Sequence, residues 1–416
     1  DGAEEEDGSG GVVIVRVRTS MMDMKIGAID CLSKLMLHCF RSILPLLPSI
    51  LEHIVKLTTY FHGDVRIKAV QTIQNTVLAQ YENTVGEDAD PSTTPLPPST
   101  VTLLESLVPL ILHRMNDEEK EVAAQCVETF MHFTTRLGAK CFILKGNDLT
   151  DSLLQQLFLF LQNKGKCQVL YEEDGYEEED DDDDHDDVLM DAVTDLIGAL
   201  SASLGPSFEN RVRPLFEPLT RFLRPARPAT DRSMAVGCFA EIVDGLKHAS
   251  APYVADMLKI AVAALEDPHE KVQRNACFLV GVLATHAPDG SAFSQHLNEI
   301  VSRFEPFLAH INEIDEATAD NACSAIARII VRYNNSLPLP QLLPLFFRAL
   351  PLREDHLEDE YVYNCLFFLF QQNNAVFMGN LEEIRRICQE ASATNSGVDD
   401  MIKQNLQHMW AAIHST

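Results

Sequence analysis

Apolar and polar positions alternate along this chain with the period of an amphipathic α-helix, and the pattern stops and restarts many times. A single helix is predicted near 21–40. Paired helices are then predicted near 46–57 with 64–81, 101–115 with 117–137, 150–163 with 187–204, 208–223 with 230–247, 252–265 with 268–286, 293–310 with 315–333, 340–350 with 357–372, and 378–391 with 398–414. Segment 11–18 alternates like a strand, but a truncated helix fits equally well, so it stays unassigned.

One small residue returns at the same place in the second helix of each pair. Its positions are Ala28, Ala69, Ala123, Ala192, Ala235, Ala276 and Ala322, followed in register by Asn364 and Asn405. Most of the intervals have the length of a two-helix repeat of the HEAT or armadillo type. We therefore expect an all-α fold, a right-handed α-α superhelix of about eight to nine stacked HEAT-repeat helix pairs that forms one continuous solenoid over 21–416.

Two longer intervals predict loops inserted into this solenoid, at 82–100 and at 164–187. The first is rich in Pro, Ser and Thr and the second is acidic, and neither has enough apolar residues to offset the entropy of ordering. Both are therefore expected to be disordered. Residues 1–20 are expected to form an acidic, flexible N-terminal segment. Because the chain begins at Asp1, it is expected to be a piece of a longer protein.

Ten cysteines are scattered without the spacing of a disulfide framework. Six occupy repeat-equivalent places, where we expect small buried apolar residues: Cys31, Cys126, Cys238, Cys277, Cys323 and Cys365. Reduced cysteines favour the cytosol or the nucleus as the compartment. No apolar stretch reaches the roughly 18 uncharged residues of a membrane span, so no membrane association is expected.

The formal net charge is −29. Thirteen carboxylates form one run without Lys or Arg: Glu172, Glu173, Asp174, Glu177, Glu178, Glu179, Asp180, Asp181, Asp182, Asp183, Asp184, Asp186 and Asp187. The rest of the chain is acidic as well, which disfavours nucleic acid as a direct ligand and favours a basic protein or peptide. Two interpretations of the run stay open: it is simply solvated, or it lies inside the superhelix and competes with basic cargo.

No catalytic or metal-binding motif stands out. The step Gly165-Lys166 lacks the other residues of a phosphate-binding loop, and no zinc or hydrolase motif occurs. The run 180–187 lacks the glycine and the terminal Glu of a calcium loop. The sequence thus predicts a binding protein that is not an enzyme and has no cofactor.

Segment 265–283, which contains Arg274-Asn275-Ala276-Cys277-Phe278, and the ending through Met409-Trp410 resemble the C-terminal half of importin-β superfamily transport receptors. The resemblance covers essentially the whole chain. It implies nuclear import of basic cargo with nuclear localisation signals, such as histones H3 and H4 and ribosomal proteins, and shuttling between cytoplasm and nucleus. It also implies release by the GTPase Ran, whose main contacts would lie in absent N-terminal repeats, and Phe-Gly nucleoporin repeats as further candidate partners. A monomer is expected.

In solenoids of that family the second helix of each pair lines the concave face, so its polar residues are candidates to hold Lys and Arg of a cargo peptide. The candidates are Glu241, Asp244, Asn275, Glu316, Asp320, Asn321, Asp359, Glu360 and Asn364. Carboxylates would supply charge, and amides would bond the peptide backbone. For each of them, a helix cap or a bond between neighbouring turns is the competing role.

A HEAT-repeat scaffold that holds folded protein partners, similar to the regulatory subunit of a phosphatase, is the alternative function. The acidic insert and the strong negative charge argue against it, because a scaffold needs neither.

Overall fold

The computed structural model describes residues 19–173, 184–393 and 396–415, and these residues are mostly α-helical. The chain divides into two compact units, one up to Ser203 and one from Leu204 onward. The helices of the first unit are α1 (Thr19–His38), α2 (Phe40–Ile43), α3 (Leu47–Leu57), α4 (Gly63–Val85), α5 (Pro98–Arg114), α6 (Lys120–Leu137), α7 (Thr150–Leu161), α8 (Lys166–Glu173) and α9 (Asp184–Leu204).

The second unit continues the same alternation of helices. Its helices are α10 (Glu209–Val212), α11 (Phe216–Arg221), α12 (Ala229–Leu246), α13 (Val254–Leu265), α14 (Glu270–His286), α15 (Ala292–Gln295), α16 (Leu297–Ala309), α17 (Glu316–Tyr333), α18 (Leu339–Ala349), α19 (Asp359–Gln371), α20 (Ala375–Met378), α21 (Leu381–Ala391) and α22 (Asp400–Ser415). Short 3-10 turns join several of them. Most of the predicted helix pairs are therefore present.

The long second helices pack against one another from repeat to repeat. In the first unit α1 contacts α4 and α4 contacts α6, and in the second unit α12, α14, α17 and α19 follow one another in the same way. The first helices α3, α5, α13 and α16 each pack on the second helix of their own pair. Each repeat therefore buries its apolar stripe against its neighbours, and the predicted all-α HEAT-repeat fold is confirmed.

The recurring small residue lies in the core of the interior repeats. The alanines there are at most 5% exposed, namely Ala69, Ala123, Ala192, Ala235, Ala276 and Ala322. Ala28, Asn364 and Asn405 keep the register but are exposed. Ala28 lies in α1, which has no first helix of its own among the described residues, and the amide of an asparagine is costly to bury without partners. The recurring small residue is therefore a close contact between helices only in the interior repeats.

We call the recurring small residue of each repeat the anchor. Two arginines, each three residues before an anchor alanine, join successive repeats in the same way. Arg66 donates to Asp117 at 2.8 Å, and Arg232 makes a two-pronged pair with Asp267 at 2.8 and 3.0 Å. Each aspartate also accepts the backbone N–H two residues further on, at the start of the next second helix. The same side chain therefore orders a turn and fixes the register between repeats.

The first expected insert is shorter and more ordered than the sequence predicts. Since α4 extends to Val85 and α5 begins at Pro98, the first loop covers only 86–97. It is held by Asp90, which accepts from Ser92 and Thr93, and by Lys140, which donates to the carbonyl of Pro91 at 2.8 Å. The expectation of disorder is therefore wrong for this loop, because polar contacts stabilise it in place of apolar burial.

The acidic insert is helical at both ends. Glu172 and Glu173 end α8, which packs on α6, while Asp184, Asp186 and Asp187 belong to the first turn of α9. The part of the run from Asp174 to Asp183 lies outside the described residues, as does segment 11–18.

A small hairpin follows α6, and the sequence did not predict it. β1 (Ile143–Leu144) pairs antiparallel with β2 (Asn147–Asp148). The turn between them uses Lys145 at φ 51° and Gly146 at φ 78°, the two positive values that a tight two-residue hairpin turn requires.

Eight of the ten cysteines are buried. Burial raises the pKa of the thiols of Cys126, Cys277, Cys323 and Cys365, which keeps them protonated. The expectation of burial is wrong for Cys31, which is exposed on the uncovered face of α1.

Among the described residues, one stretch, Val188–Arg221, is long and apolar enough to cross a membrane by length and composition. Of its most apolar part, 56% is buried inside the protein, and the α-helix within it ends at Leu204. The segments Ser20–His38 and Phe40–Leu57 are long and apolar enough only when they are taken as one stretch, and the chain bends by 114° between them.

Candidate binding surface on the second helices

Polar side chains link the second helices of the second unit across their exposed edges. The amide of Asn275 on α14 donates to the backbone carbonyl of Ser233 on α12 at 2.8 Å and to its hydroxyl at 3.1 Å. Further along the same two helices, His286 Nε2 lies 3.1 Å from a carboxylate oxygen of Asp244. These bonds fix the register between α12 and α14.

Arg328 lies at the centre of the next contact, between α14, α17 and α19. Its side chain is only 4% exposed and donates to the carboxylate of Glu358 at 2.6 Å. The guanidinium lies 3.4 Å from the ring centre of Tyr361 and 5.7 Å from that of Phe278. Gly281 makes room for it, since a Cβ there would lie 3.2 Å from Arg328 Cδ. An arginine between two aromatic rings, paired with a carboxylate, therefore joins three helices.

The charges of three carboxylates act on Tyr361, which is 36% exposed. Burial raises the pKa of its phenol, the charge of Arg328 acts against this, and the charges of Asp244, Glu358 and Glu360 raise it further. The hydrogen bond from His286 holds the pKa of Asp244 below its usual value, although burial acts the other way. Asp244 therefore carries its full negative charge at neutral pH.

Five of the nine candidate residues remain accessible. Glu241, Glu316, Glu360 and Asn364 are exposed, and the side chain of Asp244 is half-exposed. We use the name acidic strip for the accessible residues on α12 and α19, which are Glu241, Asp244, Glu360, Tyr361 and Asn364. Glu241 and Asp244 share one face of α12, and Glu360 and Asn364 share one face of α19, because their spacings are three and four residues.

Asp320 and Asn321 have intramolecular roles. Asp320 is 2% exposed, and its carboxylate accepts the backbone N–H groups of Arg353, Glu354 and Asp355 at 2.7 to 3.1 Å. The amide of Asn321 donates to a carbonyl in its own helix and to Asp355 at 2.9 Å. Both residues therefore order the connection between α18 and α19, which is the competing role that the sequence left open.

Asp359 and Asn275 are also engaged inside the protein. Asp359 is buried, its carboxylate lies 2.9 Å from Nδ1 of His356, and burial raises its pKa. Asn275 bonds Ser233 as described above. We therefore leave Asp320, Asn321, Asp359 and Asn275 out of the acidic strip. Glu316 stays accessible, 4.0 Å from Arg353.

Sequence reasoning missed Arg328, Phe278 and His286. One signal could have found Arg328: it follows its anchor alanine by six residues, just as Asn75 follows Ala69, and Asn75 bonds Ser33 of the neighbouring helix α1 at 2.8 Å. A polar residue at that position reaches the adjacent second helix.

Within the described ranges, no group of three or more His, Cys, Asp or Glu side chains is arranged to hold a metal ion. The acidic strip offers exposed carboxylates, an amide and an aromatic side chain, and these groups suit the Lys and Arg side chains of a peptide.

Comparison with known proteins identifies relatives over most of the chain. A probable importin subunit beta-4 of Schizosaccharomyces pombe is 27% identical over 373 residues, which cover 87% of this chain and 34% of that protein. Importin-4 of Homo sapiens is 29% identical over 382 residues, which cover 91% of this chain and 34% of that protein. The chain thus spans about a third of the length of these relatives. No protein-family model matches it.

Solved structures share the fold. The crystal structure of Kap121p bound to Ste12p matches with a TM-score of 0.69 at 15% sequence identity, and that of Kap121p bound to RanGTP matches with a TM-score of 0.67 at 15% identity. Each match covers 100% of this chain and 38% of the other. The chain is therefore similar in sequence to importins over most of its length, and it shares the helical-repeat fold of the Kap121p structures.

Proposed function

We propose that this chain is the cargo-holding part of a nuclear import receptor that shuttles between cytoplasm and nucleus. Its relatives are importins, which supports transport as the activity. The observation that carries the proposal is the acidic strip, where carboxylates of α12 and α19 flank the exposed edge of Tyr361. Basic segments of cargo proteins would bind along it.

The chemistry of the acidic strip favours Lys and Arg without requiring one sequence. Glu241, Asp244 and Glu360 would pair with cationic side chains, and the amide of Asn364 would bond the peptide backbone. The aromatic edge of Tyr361 would contact an aliphatic stem. Because exposed ion pairs are screened by salt, binding should depend steeply on ionic strength.

The cargo we propose is strongly basic, of the histone H3 and H4 type or a ribosomal protein. The negative net charge of this chain supports this class. The Kap121p structures contain Ste12p, RanGTP or Nup53p, which makes a cargo protein, Ran and a nucleoporin the kinds of partner to test. For Ran, we propose contacts mainly through repeats outside this chain.

Charge reversal tests the acidic strip directly. Binding of a fluorescent histone H3 tail peptide would be measured by anisotropy for wild type and for the double variant Glu241→Lys, Glu360→Lys. We expect about tenfold weaker binding, or about 1.4 kcal/mol, in the double variant. The control is Glu305→Lys with Glu382→Lys, which makes the same charge change at exposed positions of first helices α16 and α21.

Equal losses in the double variant and its control would mean that only net charge matters and would contradict a defined site. Binding that ignored both variants and salt would overturn the proposal and favour a scaffold for folded partners. The acidic run 172–187 is the competing site. When the run is removed, the acidic-strip double variant should still bind the histone H3 tail peptide more weakly than the control double variant.

A further inference from the structure

A proline-rich segment lies on the surface of the first unit, at the end of loop 86–97 and the start of α5. We call residues 94–98, with the sequence Thr-Pro-Leu-Pro-Pro, the proline segment. Pro97 has φ −62° and ψ 146°, the values of a polyproline II helix. Proline fixes the φ of Pro95, and a residue before a proline, such as Leu96, is restricted to extended conformations. Residues 95–97, which form no helix, strand or turn, are therefore a short stretch of polyproline II.

This conformation places two prolines on one exposed side. A polyproline II helix has three residues per turn, so residues three apart face the same way. Pro95 and Pro98 are exposed, whereas Leu96 and Pro97 between them are half-buried. Pro98 begins α5, where proline is favoured for the fold alone. Pro95 begins no helix, so this structural reason does not extend to it.

Contacts with α6 and the turn after it hold the loop in place. The ammonium of Lys140 donates to the backbone carbonyls of Pro91, at 2.8 Å, and of Thr94. Arg136 donates to the carbonyl of Glu87 at 2.9 Å. The other end of the proline segment is fixed by α5. Because the segment is ordered before any partner binds, little conformational entropy is lost on binding.

Carboxylates precede the proline segment. Glu87, Asp88 and Asp90 are exposed in the same loop. The hydrogen bond from Ser92 holds the pKa of Asp90 below its usual value, so this carboxyl is ionised at neutral pH. A partner that covers the prolines would therefore gain from Lys or Arg beside its binding surface.

We propose that the proline segment binds a partner domain that recognises polyproline II, with an aromatic-lined groove and Lys or Arg beside it. The rings of Pro95 and Pro98 would pack between the aromatic side chains, and Glu87 and Asp88 would pair with the cations. SH3, WW and EVH1 domains have such aromatic-lined grooves for proline-rich segments. The inference goes beyond the proposed function, because the acidic strip and its cargo take no part in it.

A second pair of prolines provides a matched control. Pro225 and Pro228 have the same spacing as Pro95 and Pro98, and both are exposed. However, the backbone N–H of Arg227 donates to the carbonyl of Arg224 at 2.9 Å, which closes a turn around Pro225. The spacing is therefore present there without the polyproline II conformation.

The probes are fluorescently labelled SH3, WW and EVH1 domains in two panels, one with Lys or Arg beside the groove and one with Asp or Glu there. Anisotropy is measured as the full chain is added. We expect binding in the first panel and about tenfold weaker binding in the second. Pro95→Ala should weaken binding in the first panel about tenfold, and Pro225→Ala should change it less than about twofold.

Glu87→Lys with Asp88→Lys should also weaken binding about tenfold. Glu305→Lys with Glu382→Lys makes the same charge change at exposed positions of α16 and α21 and should change binding less than about twofold.

Two measurements on Pro95→Ala separate this surface from the rest of the protein. Unchanged far-UV circular dichroism shows that the variant is folded, and binding of the histone H3 tail peptide should match wild type whatever its strength. No binding in the first panel, stronger binding in the second, equal losses in Pro95→Ala and Pro225→Ala, or no effect of Glu87→Lys with Asp88→Lys would each overturn the proposal.

Discussion

At the residue scale, Arg328 holds the second-helix face of the second unit together. Its charge is removed from water, and such a charge is tolerated only when it is paired and hydrogen-bonded. Glu358 supplies the carboxylate, Tyr361 and Phe278 cover the guanidinium, and Gly281 leaves the space for the side chain. The exposed edge of Tyr361 in the acidic strip is therefore positioned by a residue that does not reach the surface.

Removing Arg328 should strongly destabilise the fold. Arg328→Ala leaves Glu358 buried without its partner, and we expect the free energy of unfolding in urea to fall by about 3–5 kcal/mol. Arg221→Ala is the control, because Arg221 and its partner Glu217 form an exposed ion pair, and that variant should lose less than about 1 kcal/mol. Similar losses in the two variants would show that the buried pair has no special role.

Asp359 should make stability depend on pH. Its raised pKa means that the folded state binds the proton more tightly than the unfolded state, so stability falls as the pH rises from the unfolded value toward the folded one. Asp359→Asn removes this cost, and its melting temperature should exceed that of wild type at pH about 7.5. The gain should shrink toward pH about 4, where the wild-type carboxyl is protonated. A lower melting temperature of the variant at neutral pH would contradict this account.

Residue type alone did not predict whether an acidic side chain is buried in the protein or exposed to a ligand. Asp320 and Glu360 both lie in predicted second helices, yet Asp320 holds three backbone N–H groups and Glu360 faces water. The difference depends on the path of the α18–α19 connection, which no periodic pattern records. Exposure of the candidate residues therefore could not be predicted from the sequence.

At the element scale, the hydrophobic period and the anchor residue predicted the helices well. The apolar stripe repeats because each second helix packs against the next one, so the pattern reports a physical contact. The sequence did not predict the hairpin at Ile143–Asp148, because the positive φ at Lys145 leaves no periodic signal. It did not predict the ordered loop 86–97 either, because the contact from Lys140 that holds this loop is not periodic. The uncovered face of α1 was also missed, since its sequence follows the interior pattern.

The anchor position should respond differently in complete and incomplete repeats. Ala322→Leu inserts volume into a fully buried contact, and we expect a loss of about 1–3 kcal/mol in the free energy of unfolding. Ala28→Leu makes the same change at an exposed position and should stay within about 0.5 kcal/mol of wild type. Equal effects, measured by urea denaturation, would mean that the anchor is not the packing point between helices.

At the scale of the whole molecule, negative charge dominates, with a formal net charge of −29. The acidic strip and the acidic run 172–187 both offer carboxylates to a basic ligand. Composition alone favours basic partners, and this stays a prediction. The sequence could not show which carboxylates remain exposed after folding, so the proposed binding site depends on the structure.

The most direct measurement is zero-length carbodiimide crosslinking of a lysine-rich histone H3 tail peptide, with the joined carboxylates identified by mass spectrometry. The account predicts amide bonds to Glu241, Asp244 and Glu360, which are lost at high salt and reduced by excess unlabelled peptide. Crosslinks confined to the run 172–187, or to exposed first-helix carboxylates such as Glu305 and Glu382, would contradict it.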